Sequence, residues 1–149
     1  MWDYPRPPRL ALDDRDVVVK LGPLVVATTR RAIRVLETAS PPSFYLPWAD
    51  VAAGLLESAA GTSWCEWKGE ARYWSLVTPA GRLERVGWSY PAPSPGFAAI
   101  REHVAFYASR LECFVAGERV RPQPGAFYSG WITAEVVGPF KGEPGTAGW

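Results

Sequence analysis

Cysteine and histidine are scarce in this chain of 149 residues, which has two cysteines, Cys65 and Cys113, and one histidine, His103. Two thiols in a chain of this length do not form the disulfide framework of a small secreted domain. Two cysteines and one histidine also cannot supply the four ligands of a structural zinc site. The sequence therefore predicts no metal site and no cofactor.

Long apolar runs and an excess of charge are also absent. No apolar stretch approaches the length of a membrane-spanning helix, and the N-terminus has no basic segment followed by an apolar run that would mark a signal peptide. The net charge is only +1, from 16 lysines and arginines against 15 acidic residues. That balance provides no basic field, so a nucleic-acid partner is not expected. We expect a cytoplasmic protein with no membrane partner.

Aromatic residues, in contrast, are abundant. They make up 13% of the chain and include eight tryptophans. A tryptophan ring is costly to expose to water and serves well as a flat wall of a binding site. Because the chain is long enough for one domain with a substantial core, we expect several of these rings to line a pocket.

Short segments rich in β-branched and aromatic residues, separated by turn residues, predict a mainly β fold. Val17–Leu21 and Leu24–Thr28 flank Gly22-Pro23, as expected for a β-hairpin. Further strands are predicted at residues 32–37, 44–46, 83–88, 104–107 and 112–115, and a second hairpin is predicted at residues 64–76. Helical spacing is limited to Asp50–Glu57 and Phe97–Arg101. The sequence therefore predicts antiparallel sheets with one or two short helical turns.

Composition divides the chain into three parts. Residues 1–15 form a proline-rich arm, in which proline favours extended backbone over helix. Residues 16–117 contain the predicted strands of the core domain. Residues 118–149 are rich in glycine, proline and aromatic residues, and we expect this C-terminal extension to pack irregularly on the core.

Ser63–Trp74 combines more rigid aromatic surface with ionisable groups than any other segment. Gly69-Glu70 suits a two-residue type II′ turn, in which glycine occupies the first position. That turn pairs Lys68 with Ala71, and strand side chains then alternate between two faces. One face would carry Cys65, Trp67, Arg72 and Trp74, and the other would carry Trp64, Glu66, Lys68 and Tyr73.

Lys68 is the most promising polar group of this hairpin. A lysine beside aromatic rings can hold a carboxylate or phosphate, or can act as an amine when burial tunes it. The alternative is that Lys68 and Glu66 lie together on the surface, an arrangement that contributes little to stability. Cys65 would need a nearby cation to be held as a thiolate, and a half-buried cysteine acting as a small apolar residue is the simpler interpretation.

Two further residues carry weaker signals. Glu37 ends an apolar strand just before a proline break, a position from which strands often deliver functional groups, although a solvated strand end is the alternative. His103 has the chemistry of a general base, but the sequence assigns it no serine or cysteine partner.

Several of these segments resemble the family catalogued as domain of unknown function 427. The resemblance rests on Val35-Leu36-Glu37, Phe44-Tyr45-Leu46-Pro47 with Asp50-Val51, Cys65–Tyr73, Trp88-Ser89-Tyr90-Pro91 and Val104-Ala105-Phe106-Tyr107. The arm and the extension are similar to those of extended bacterial members of this family.

The resemblance implies a β-tent-like fold, in which two small antiparallel sheets meet at a steep angle. Many β-tent proteins hold a structural zinc with paired cysteines, but this chain has no Cys-x-x-Cys pair. The family's label has also carried a nucleotidyltransferase suggestion, for which the chain lacks paired acidic metal ligands behind a Gly-Ser. The polar and aromatic residues that match are Glu37, Tyr45, Cys65, Lys68, Tyr73, Trp88 and Tyr90.

Two functions follow as hypotheses. In the first, the chain is a small-molecule-binding domain, with an aromatic pocket walled by Tyr45, Trp67, Trp88 and Tyr90. Lys68 would anchor an anionic or carbonyl group, and Glu37 would act as a hydrogen-bond acceptor or base. These two residues are the catalytic candidates if the domain is an enzyme.

In the second, the chain is a non-enzymatic interaction or self-association module, with a homodimer as one form. Rings that converge on a concavity favour binding, whereas rings spread over a flat surface favour association. Recognition of RNA ends by stacking aromatics and arginines is a third hypothesis, which the near-zero net charge disfavours.

Overall fold

The computed structural model of the chain describes residues 9–36, 41–65, 68–123 and 130–134. The strands are β1 (Arg9–Asp13), β2 (Val17–Leu21), β3 (Leu24–Thr29), β4 (Ala32–Leu36), β5 (Ser43–Pro47), β6 (Leu56–Cys65), β7 (Gly69–Thr78), β8 (Gly81–Ser89), β9 (His103–Phe106), β10 (Glu112–Val115), β11 (Glu118–Arg119), β12 (Arg121–Pro122) and β13 (Trp131–Ile132). Two 3-10 helices, Trp48–Asp50 and Pro95–Ile100, interrupt them. In the described part of the chain, no helix is long and apolar enough to cross a bilayer.

The strands form antiparallel sheets, which confirms the predicted mainly β fold. A seven-stranded sheet has the order β1-β4-β5-β9-β8-β7-β6, and a four-stranded sheet has the order β11-β10-β2-β3. Strands β12 and β13 form a third, two-stranded sheet. The predicted hairpin at Gly22-Pro23 is confirmed, because Leu21 pairs with Leu24 across that turn. The β-tent arrangement itself stays a prediction.

Alternation along the central strands sends side chains into two separate cores. On β5, Phe44 and Leu46 enter a core shared with the four-stranded sheet, which we call the sheet–sheet core, and Tyr45 enters a second cluster. On β9, Phe106 belongs to the first and Ala105 to the second. The seven-stranded sheet is therefore apolar on both faces at its centre, which is why these strands have little polar alternation in sequence.

The prediction of a helical turn over Asp50–Glu57 is wrong. The first 3-10 helix ends at Asp50, Val51 forms an isolated bridge with Ala27, and Leu56 already begins β6. Gly54 has a φ of +77°, a left-handed conformation that glycine adopts easily and that interrupts a helix. The second helical prediction, at Phe97–Arg101, is confirmed by the 3-10 helix at Pro95–Ile100.

The predicted turn at Gly69-Glu70 is also wrong. Cys65 pairs with Gly69 and Trp64 pairs with Glu70, so both residues of the expected turn lie in β7. Gly69 has a φ of +105°, and a Cβ there would lie 3.3 Å from the carbonyl oxygen of Ala92. Close packing against the loop after β8, rather than a hairpin turn, explains this glycine.

The new register changes which hairpin side chains meet. Cys65 and Tyr73, predicted on opposite faces, both pack against the second cluster, whereas Trp74 packs against the sheet–sheet core. Arg72 is exposed and forms an ion pair with Glu70, with Nε and Oε1 2.9 Å apart. Arg72 pairs with Thr62, whereas Cys65 pairs with Gly69.

The predicted three-part division of the chain stays a prediction, but described residues near both ends contact the core. Strand β1 pairs along its whole length with β4. Trp131 is buried, stacks on Phe44 with ring centroids 4.9 Å apart, and donates its indole N–H to the Phe106 carbonyl at 2.9 Å. The described part of the extension therefore completes the sheet–sheet core.

Replacing Gly87 with alanine should destabilise the fold by about 1–3 kcal/mol, because the strand contacts leave no room for a side chain. A Cβ at Gly87 would lie 2.5 Å from the Ala105 carbonyl oxygen and 3.3 Å from a Phe106 ring carbon. Urea denaturation measures the change. The matched control is Gly96→Ala, where nothing lies within 4 Å, and an equal loss in both variants would contradict this packing argument.

Candidate functional site

A row of side chains crosses the second face of the seven-stranded sheet. Tyr45 on β5 is opposite Ala105 on β9, Ala105 is opposite Trp88 on β8, and Trp88 is opposite Tyr73 on β7. Directly opposed residues in antiparallel strands place their side chains close together. The small side chain of Ala105 leaves space between the larger rings of Tyr45 and Trp88, which meet across it.

The rings of Tyr45, Trp88, Tyr90 and Tyr107 form one contact network, which we call the aromatic cluster. Trp88 contacts Tyr45 edge-on with centroids 6.0 Å apart, and its indole N–H donates to the Tyr45 hydroxyl at 3.1 Å. Tyr90 lies 6.3 Å from Tyr45, and Tyr107 lies 4.6 Å from Trp88. Edge and tilted contacts at these separations are favourable aromatic geometries.

Lys68 lies at one end of the aromatic cluster and is only 6% exposed. Its ammonium is 5.8 Å from the centre of the Tyr90 ring, within the range of a cation–π contact. Its backbone carbonyl accepts the Ser94 N–H at 3.1 Å, which ties the residue to the loop after β8. Lysine is almost never buried to this extent without polar partners, so the fold places a cation at a defined position beside the rings.

A second cation, Arg85, lies over the ring of Tyr73. The Arg85 guanidinium lies 4.5 Å from the centre of the Tyr73 ring and donates to the Ala60 carbonyl at 2.6 Å. Arg85 has a φ of +48°, an uncommon backbone conformation for this residue. The Tyr73 hydroxyl is 2.7 Å from the Ser63 hydroxyl. The candidate site thus has one cation over Tyr90 and another over Tyr73.

Burial changes the acidity of two groups in the molecule. Desolvation raises the pKa of Tyr107 to about 12, and the neighbouring Tyr73 adds to this effect. Burial likewise raises the pKa of the Cys113 thiol, which lies in the sheet–sheet core, to about 12. Both groups are therefore protonated at neutral pH, and Cys113 behaves as a small apolar residue.

The structure brings most of the predicted site residues together. Tyr45, Lys68, Trp88 and Tyr90 are buried, and the half-buried Cys65 and Tyr73 pack against the cluster. The two remaining predictions, Glu37 and Trp67, lie outside the described residues.

Sequence reasoning missed Tyr107 and Arg85. Tyr107 follows Ala105 by two residues, so the period of a strand was a sufficient signal. Arg85 gave no such signal in the sequence, because its position over Tyr73 goes with a left-handed backbone. Among the described residues, no group of three or more histidine, cysteine or acidic side chains is arranged to hold a metal ion.

The comparison with known families agrees with the resemblance read from the sequence. The profile described as domain of unknown function (DUF427) matches residues 9–117. The chain belongs to this family. The matched residues include every described member of the aromatic cluster, whereas Trp131 lies beyond the match. No curated protein gives a significant match.

Replacing Tyr45 with phenylalanine should destabilise this DUF427 domain by about 1–3 kcal/mol, because the buried indole N–H of Trp88 loses its acceptor. Urea denaturation measures the loss. In the Trp88→Phe background, which lacks the donor, the same Tyr45 substitution should cost clearly less. Equal costs in both backgrounds would show that the hydrogen bond contributes nothing.

The raised pKa of Tyr107 predicts a loss of stability at alkaline pH. The unfolded chain releases this proton near the ordinary pKa of 10, whereas the folded chain holds it to about 12. The contribution is therefore fully present below pH 10 and is lost as the pH rises through about 12. In Tyr107→Phe, the decrease in unfolding free energy over this window should be smaller than in the wild type. An unchanged decrease would show that Tyr107 is not responsible.

Proposed function

We propose that this chain is a small-molecule-binding domain and that the aromatic cluster with Lys68 is its binding site. The observation that carries the proposal is a lysine, 6% exposed, held over the ring of Tyr90, which packs in one cluster with Tyr45 and Trp88. Buried cations beside apolar walls are typical of sites that orient a polar group on an otherwise flat ligand.

The charges and rings support a particular class of ligand. Lys68 suits a carboxylate, a phosphate or a carbonyl oxygen, since an ammonium offers three donors and no acceptor. The rings of Tyr45, Trp88 and Tyr90 suit a flat apolar body. The ligand we propose is therefore a small planar molecule with one anionic or carbonyl group. If the domain is catalytic, Lys68 and Glu37 are the residues proposed to act on this ligand.

The distribution of tryptophan supports binding over self-association. Five of the eight tryptophans lie in the described residues, and of these only Trp64 is largely exposed, at 75%. Trp64 is on β6, an edge strand of the seven-stranded sheet. One exposed ring is a smaller apolar surface than an interface usually requires, so the homodimer remains the second proposal.

Lys68→Met should abolish ligand binding and leave the fold intact, because methionine keeps the length and apolar stem of lysine. Native mass spectrometry of gently purified protein tests this with any small molecule that the wild type retains. Benzoate, phenyl phosphate and benzaldehyde are the added probes, with thermal unfolding as the readout. At about 100 times its dissociation constant, a bound probe adds about 2.7 kcal/mol to the stability of the wild type.

Lys20→Met is the matched control. Lys20 also lies over an aromatic ring, 5.2 Å from the centre of Phe114, but on the four-stranded sheet. This variant should retain binding. Equal binding by wild type and Lys68→Met would exclude Lys68 as the anchor of the ligand. A dimer mass in the same native mass spectra would support the second proposal, a homodimer.

A further inference from the structure

The side chain of Arg85 on β8 reaches across β7 to β6. Its guanidinium lies 4.5 Å from the centre of the Tyr73 ring on β7, and its Nη2 donates to the Ala60 carbonyl on β6 at 2.6 Å. A Cβ at Gly61 would overlap this nitrogen and displace it. A ring, a carbonyl and a glycine therefore fix the position of an arginine that is exposed to solvent.

The strands are irregular where Arg85 crosses them. The pairing of β7 with β8 shifts its register between Trp74 and Leu76, and the pairing of β6 with β7 shifts between Ser58 and Thr62. Arg85 itself has a φ of +48°. Bulges re-aim side chains and are common beside functional sites, and left-handed backbone at residues other than glycine clusters at such sites. The backbone thus departs from regular pairing on both sides of β7 at this point.

The guanidinium keeps most of its hydrogen-bonding capacity. Of its five N–H donors, one on Nη2 is used by the Ala60 carbonyl. Whichever proton of Nη2 makes this bond, one edge of the guanidinium still has two parallel donors. Such an edge binds the oxygens of a carboxylate or a phosphate through two hydrogen bonds.

No carboxylate among the described residues forms an ion pair with Arg85. Glu84 precedes it in the sequence, but one oxygen of Glu84 accepts the Arg82 Nε–H and the other accepts the Ser75 hydroxyl. These two hydrogen bonds lower the pKa of Glu84, and the charge of Arg85 adds to the shift. Arg85 therefore has a fixed positive charge without a carboxylate in contact with it in the described part of the chain.

Hydroxyl groups lie beside this guanidinium. The Tyr73 and Ser63 hydroxyls are 2.7 Å apart, and in such a pair one hydroxyl donates while the other keeps its proton for a further acceptor. The backbone N–H of Tyr107 donates to the carbonyl of Val86, the residue after Arg85, at 2.8 Å. We call Ser63, Tyr73, Arg85 and Tyr107 the Arg85 site.

We propose that the Arg85 site binds a phosphate group. A phosphate group has three strong acceptor oxygens and a charge between one and two, so the guanidinium edge can bind two oxygens and a hydroxyl the third. A carboxylate has only two oxygens, which the guanidinium edge alone satisfies, so the hydroxyls favour the phosphate. The site contains neither Lys68 nor Tyr90 and is separate from the site proposed at Lys68, although Tyr107 also belongs to the aromatic cluster.

Titration with inorganic phosphate, followed through the arginine Nε–H signals in NMR spectra, tests the proposal. The signal that is missing in Arg85→Lys identifies Arg85. In the wild type this signal should shift and saturate, with a dissociation constant of about 1 mM. Sodium chloride at the same ionic strength should not reproduce the shift, because screening is common to all salts. Acetate, which offers only a carboxylate, should bind at least about threefold more weakly.

Three results in the wild type would overturn the proposal. The first is an Arg85 signal that does not saturate with phosphate. The second is an equal shift with sodium chloride, which would show screening only. The third is acetate that binds as tightly as phosphate.

Two variants locate the binding, with the affinity read from backbone amide signals. Arg85→Lys keeps the charge and loses the two-donor edge, so phosphate should bind about tenfold more weakly. Tyr73→Phe keeps the ring under Arg85 and removes its hydroxyl, which should weaken phosphate about three- to tenfold. Wild-type affinity in Arg85→Lys, or in Tyr73→Phe where the lysine variant does not fold, would overturn the proposal.

Arg119→Lys is the matched control. The Arg119 guanidinium also lies over a ring, 5.6 Å from the centre of Phe114, but its Nη1 is 3.8 Å from Oε1 of Glu112. Phosphate affinity should be unchanged, and a loss equal to that in Arg85→Lys would show a general charge effect and overturn the proposal. Lys68→Met should also leave it unchanged. A loss there would place the phosphate at Lys68, which overturns this inference and supports the proposal at Lys68.

Discussion

The central strands of the seven-stranded sheet have to be apolar on both faces, and the rest of the structure depends on this constraint. Strands β5, β9 and β8 send alternate side chains to the sheet–sheet core and to the aromatic cluster. At Gly87, β8 approaches β9 so closely that a Cβ would lie 2.5 Å from the Ala105 carbonyl oxygen. The same backbone therefore builds the structural core and the candidate site, and a change that moves one layer moves the other.

The strands were predictable because their signals are local. The hairpin at Gly22-Pro23 combines β-branched runs with a turn pair, and strand β10 at Glu112–Val115 has the residues predicted for it. The register of β6 against β7 was not predictable from the sequence. Gly69 can be interpreted there either as a turn residue or as a position where two segments pack closely. Only the contact with Ala92, which is distant in sequence, decides between them.

The candidate site was predictable in composition more than in geometry. Tyr45, Trp88 and Tyr90 were expected to share a wall, and they do share one cluster. Their mutual contacts depend on strand order, because β5 and β8 meet only through β9. Nothing local specifies that order. The guanidinium of Arg85 lies over Tyr73 while its backbone is left-handed, a conformation that this residue type disfavours and that the sequence does not signal.

The described part of the C-terminal extension bears on the site indirectly. Trp131 stacks on Phe44 and donates a hydrogen bond to the Phe106 carbonyl. It therefore contacts two strands in which the adjacent residues, Tyr45 and Ala105, lie in the second buried cluster on the other face. The family match ends at residue 117, before this contact. A domain without the extension would need another side chain to fill that volume, because interiors are close-packed. Trp131, in the described part of the extension, thus packs on β5 and β9 from the sheet–sheet core. The residues of the family match alone do not supply this packing.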